Sequence, residues 1–78
     1  MKVVFKSPEE VSEFAGICGK YDGVDVSVTN KSMTVDGCSV VGILGFGTGK
    51  VLDVDIITQD KAAEAELTGK LQKFAPEE

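Results

Sequence analysis

Apolar and polar positions alternate, then stop alternating, several times along the chain, and the changes of period mark its elements. Val3 and Phe5 fall on one side of an extended stretch and Val4 on the other, which predicts a first strand from Met1 to Lys6. Ser7-Pro8-Glu9-Glu10 then opens a helix: Ser7 as cap, Pro8 at the first helical position, Glu10 to complete a capping box. Glu9, Glu10 and Glu13 suit the positive end of that helix's dipole. Val11, Phe14, Ala15, Cys18 and Tyr21 recur at helical spacing, widened by Ile17, and the helix is expected to stop between Gly19 and Gly23. Val24, Val26 and Val28 alternate with Asp25, Ser27 and Thr29 as a half-buried strand. Asn30-Lys31-Ser32 turns the chain into a partner strand carrying Met33 and Val35, and Asp36-Gly37 ends that hairpin. Ser39 is placed to start a short helix. A last strand runs from Lys50 to Ile57, with Leu52, Val54 and Ile56 inward and Asp53 and Asp55 outward. Asp60 or Thr58 starts a final helix on the stripe Ala63, Leu67, Leu71 and Phe74, with Glu66 and Lys70 spaced for an i,i+4 pair. Gly69 is a mild defect there, costing ~1 kcal/mol against alanine. Ala75 to Glu78 reads as a short frayed tail.

The order is therefore β-α-β-β-α-β-α, an α+β arrangement with an antiparallel sheet, one face wet and one covered by helices. Residues 1–78 make one small domain, with no linker, repeat or low-complexity tract. No apolar run approaches the ~20 residues that cross a bilayer. Met1 to Lys6 is charged again after three apolar residues, unlike a signal peptide, so the cytoplasm is the expected location.

Composition narrows the chemistry by exclusion. A net charge of −5 repels nucleic acid. The chain has no histidine, the commonest general base and metal ligand. All eight basic residues are lysines, so there is no bidentate guanidinium fork for phosphate or carboxylate. An enzyme has little to be built from, and no cofactor or metal is expected. Cys18 and Cys38 form no C-x-x-C unit and, without histidine, no ordinary zinc tetrahedron; both are expected as small buried hydrophobes.

Two arrangements resemble sites and fail as such. Gly45-Phe46-Gly47-Thr48-Gly49-Lys50 suggests a phosphate loop, but Val51 stands where a hydroxyl belongs, Leu44 where the first glycine belongs, and a strand follows where a helix should open. Its glycines are read as turn residues. Asp53 and Asp55 share a strand face ~7 Å apart, the spacing of a solvated sheet surface. Ser39 carries more. As an N-cap it satisfies free backbone donors, and the residues alone favour that role. As a phosphorylation site it would put a dianion beside the same donors. Val40, Val41, Leu44 and Phe46 cannot all turn inward from so short a helix. Part of that set is expected as an exposed apolar docking patch.

Ser39-Val40-Val41-Gly42-Ile43-Leu44 resembles the regulatory-serine motif of HPr, the histidine-containing phosphocarrier of the bacterial sugar phosphotransferase system. Lys20-Tyr21-Asp22 resembles the end of that family's first helix, and Gly49-Lys50 to Ile56 its last turn and strand. The resemblance spans the whole chain and implies an open-faced sandwich: four antiparallel strands in the order 1-4-2-3 with three helices on one side. The family's active site is a histidine, followed by arginine and proline, just before the first helix. Here Ser7-Pro8-Glu9-Glu10 occupies that junction, so the resemblance implies a member unable to pass on a phosphoryl group. A histidine-less branch of the family keeps the serine and acts, once phosphorylated, as a corepressor in carbon catabolite control. By that resemblance Ser39 is a candidate regulatory site, with protein partners such as a serine kinase or a transcriptional regulator. The competing reading is an orphan protein-binding module that kept the fold and left the pathway.

Overall fold

A computed structural model describes residues 1–76. Its elements are β1 (Lys2–Val4), α1 (Pro8–Cys18), β2 (Asp25–Asn30), β3 (Met33–Asp36), α2 (Val40–Leu44), β4 (Val51–Ile57) and α3 (Lys61–Leu71), closed by a 3-10 turn at Gln72–Phe74. The four strands form one antiparallel sheet in the order β1-β4-β2-β3. β4, the last strand in sequence, pairs with β1 on one side and β2 on the other. This is the α+β open-faced sandwich expected, strand order included.

Period-two patterning sorts the strand residues cleanly. Val3, Val26, Val28, Leu52 and Val54 are buried with Val11, Phe14, Cys18, Ile43, Leu67 and Leu71 from the helices. Phe5, Phe14 and Phe74 meet edge to face, with ring centroids 5.1 to 5.7 Å apart, a geometry that favours aromatic pairs beyond the area they bury. This trio locks the first strand's exit, the first helix and the chain's final turn together. No polar side chain is buried among the described residues.

Several boundaries differ from the sequence expectation, each for a local reason. β1 stops at Val4 rather than Lys6, because its partner β4 begins opposite it at Val51. Phe5 lies just past the strand, and its carbonyl accepts from Gly49 N–H at 2.8 Å. α1 ends at Cys18, the early edge of the expected interval, where Gly19 N–H reaches Ala15 O. The last helix starts after Asp60, whose carboxylate accepts from Ala62 and Ala63 N–H at 3.1 Å, while Thr58 braces Asp60 from behind. Phe74 sits on the 3-10 turn rather than on α3. Of the expected tail, Ala75 and Pro76 are half-buried and Ala75 N–H bonds Gln72 O; Glu77 and Glu78 lie outside the described residues. Among the described residues, no helix is long and apolar enough to cross a membrane.

Candidate functional site

Ser39 is the residue on which both structural and chemical readings converge. It precedes α2 in an extended conformation (φ −93°, ψ 96°), and its Oγ accepts from Gly42 N–H at 3.1 Å. Its own N–H bonds Asp36 O and its carbonyl takes Ile43 N–H, both at 3.0 Å. The serine is half-buried and acts as a true N-cap. Gly42 is explained by the same geometry. A Cβ there would stand 3.0 Å from Ser39 Oγ and 3.1 Å from Val35 Cβ, so the glycine lets α2 lie close over β3.

The four apolar residues after Ser39 divide unequally. Val41 is 84% exposed. Val40 and Leu44 are half-buried and rest against the core. Phe46 is a correction to the expected patch: it is 8% exposed and belongs to the core cluster, leaving almost no surface for a partner. The chain doubles back after α2, with Phe46 N–H on Ile43 O and Gly47 N–H on Leu44 O, and that turn swings the ring inward. Gly47 and Gly49 follow with φ of +87° and +80°, so the glycine run is turn geometry.

The cysteines part company as well. Cys18 is buried on α1, and burial pushes its thiol up to about 12, with Cys38 and Asp36 adding to the shift. Cys38 is exposed beside Ser39, which corrects the expectation of two buried thiols. Desolvation and then the Asp36 carboxylate raise its pKa too, so both stay thiols near neutral pH. Asp36 is occupied in holding the turn, since its Oδ1 accepts from Cys38 N–H at 2.8 Å.

At the start of α1, Ser7 Oγ accepts from Glu10 N–H at a long 3.4 Å. Glu10 reaches back not to Ser7 but to Lys6 N–H, at 2.9 Å, so the reciprocal cap is displaced by one residue. Ser7 therefore serves the backbone. No group of three or more cysteine, aspartate or glutamate side chains capable of holding a metal occurs among the described residues.

No model of a protein family matches the chain, and no curated protein matches it. Among solved structures, it superposes on the crystal structure of HPr-C-His from Thermoanaerobacter tengcongensis with a TM-score of 0.71. The match covers 100% of this chain and 97% of that one, at 18% sequence identity. The fold is that of HPr. Within this HPr fold, Ser39 caps α2 and Val41 lies on its first turn, while Ser7 caps α1 and Pro8 is its first residue. Sequence patterning marked Ser39 as a helix cap and Val41 within a set of four apolar residues, without saying which of the four would be exposed. It missed the inward turn of Phe46, because nothing in a run of alternating glycines announces which way the chain folds back.

Proposed function

We propose that this chain is a histidine-less relative of HPr that works as a regulatory or interaction protein in the phosphotransferase system, with no phosphocarrier or enzymatic activity. The observation that carries the reading is a half-buried serine cap followed two residues later by an 84% exposed valine on a short helix. A phosphate on Ser39 would add a dianion beside Val41, changing charge at the edge of an apolar docking face made by Val40, Val41 and Leu44. The absence of histidine removes the acceptor on which phosphoryl relay in that family depends. The chain also has no arginine, so a partner reading phospho-Ser39 must bring the guanidinium itself.

Incubation with ATP and the bifunctional kinase that modifies HPr serine is expected to add one phosphate, lost in Ser39→Ala. No incorporation would sink the regulatory reading. Incubation with phosphoenolpyruvate and the first enzyme of the system is expected to label nothing; acid-labile label would overturn the loss of relay. One observation favours a second reading, an orphan binding module. Ser39 Oγ is already used by Gly42 N–H, which accounts for the serine without any phosphate. In that case Val41→Asp abolishes partner binding while the kinase leaves the protein unmodified.

A further inference from the structure

The face of the sheet away from the helices holds an unbalanced charge. Its strand residues are Lys2 and Val4 from β1, Asp25, Ser27 and Thr29 from β2, Thr34 and Asp36 from β3, and Val51, Asp53, Asp55 and Ile57 from β4. Four aspartates thus face one lysine, so this surface alone carries −3 of the chain's net −5. Lys2 is committed to Asp53 at 2.7 Å. The other three carboxylates cluster about Ser27: Asp36 and Asp55 are its cross-strand neighbours on either side, and Asp25 lies two residues along β2, opposite Ile57. Among the described residues, none of the three has an ion pair. Cross-strand spacing puts Asp36 and Asp55 about 10 Å apart across Ser27, so one ammonium between them feels both. Ile57, on the same face, is 59% exposed, and Val51 towards the other end is 52% exposed. Lys6 lies at that other end, against Val4 and Val51, away from the acidic cluster.

We infer that this open face binds an extended basic polypeptide segment that carries two lysines or arginines and an aliphatic residue at successive alternate positions, so that all three side chains fall on one side, the cations around Ser27 and the aliphatic side chain on Ile57. Charge complementarity selects that occupant. A second copy would oppose −3 with −3, and nucleic acid or an anionic bilayer is repelled for the same reason. The inference is independent of Ser39, which lies at α2.

The test is amide chemical-shift mapping of the whole protein with a synthetic peptide carrying lysine, lysine and valine at successive alternate positions with serine between them, beside a glutamate–valine peptide of the same layout and oligolysine. Saturable shifts are expected at Asp25, Ser27, Asp36, Asp55 and Ile57, weakening as salt rises. The glutamate–valine peptide should leave the spectrum unchanged, and oligolysine should bind more weakly for want of the aliphatic contact. The double variant Asp25→Asn, Asp55→Asn should lower affinity about fivefold, the range of two exposed ion pairs, with an unchanged circular dichroism spectrum. Absence of saturable shifts, or shifts confined to the helices, overturns the inference. So does a peptide-free dimer in sedimentation that Asp55→Asn alters, which would assign the face to a second copy.

Discussion

The two sides of the sheet do different work. The helix side buries Val3, Val26, Val28, Leu52 and Val54 under α1, α2 and α3 and contributes the bulk of the hydrophobic stabilisation. The open side buries none of its strand residues fully and, among the described residues, holds two cross-strand polar side-chain contacts, Lys2 to Asp53 at 2.7 Å and the hydroxyls of Thr29 and Thr34 at 3.1 Å. Exposed contacts of this kind stabilise little. Asp25, Asp36 and Asp55 have no ion pair among the described residues, and only Asp36, which accepts from Cys38 N–H, is held by a hydrogen bond to its carboxylate. One side of the sheet is thus constrained by packing, and the other is left to surface chemistry.

Substitutions can break or sharpen this contrast. On the helix side, Phe74→Ala removes a ring 2% exposed and two edge-to-face contacts, and is expected to cost about 3–5 kcal/mol in urea denaturation. A loss no larger than that of a surface change would end the claim that the aromatic trio closes the domain. At the border, Ser39→Ala deletes the α2 cap and should cost about 1 kcal/mol by the same measurement. On the open side, Asp55→Asn relieves like-charge repulsion and should stay within about 0.5 kcal/mol of the parent, on the stabilising side. A clear loss there would mean that the face is structural after all.

The smallest effect is a pH dependence. The Lys2 hydrogen bond and charge hold the Asp53 carboxyl below its ordinary value. The unfolded chain then binds the proton more readily, so this contribution is present above about pH 4 and lost as pH falls through the folded value. Comparing urea midpoints at about pH 6 and about pH 3 should show a slightly smaller acid loss in Lys2→Ala than in the parent.

Most of the fold was legible because local signals agreed with one another. Ser7-Pro8 and Asp60 announced their helices, and Val26, Val28, Leu52 and Val54 declared an inward face by simple alternation. Position in the sheet was harder to read. That β1 lies at an edge and β4 inside depends on pairings between residues 24 to 51 positions apart, which no local window contains. The candidate site was half legible. Ser39 and Val41 follow from a cap and a short helix, whereas the burial of Phe46 and the exposure of Cys38 depend on how the flanking turns aim the chain. Tyr21 is expected on the apolar stripe of α1 and at the end of the helix, but lies three residues past it. Its hydroxyl also donates to Glu66 at 3.0 Å, with Lys70 5.3 Å above the ring, a contact between the turn after α1 and α3 that only tertiary packing creates.

The placement of β4 between β1 and β2 has a temporal consequence for the chain as it is synthesised. The hairpin of β2 and β3 can assemble as soon as residues 25–36 are free, since its contacts are local. β1, made first, has no partner until residues 51–57 appear, and must wait as an unpaired apolar segment through most of translation. A nascent chain arrested before Val51 therefore has at most α1 and a hairpin with an open seam, and the seven-residue β4 fills that seam before α3 and Phe74 close the core.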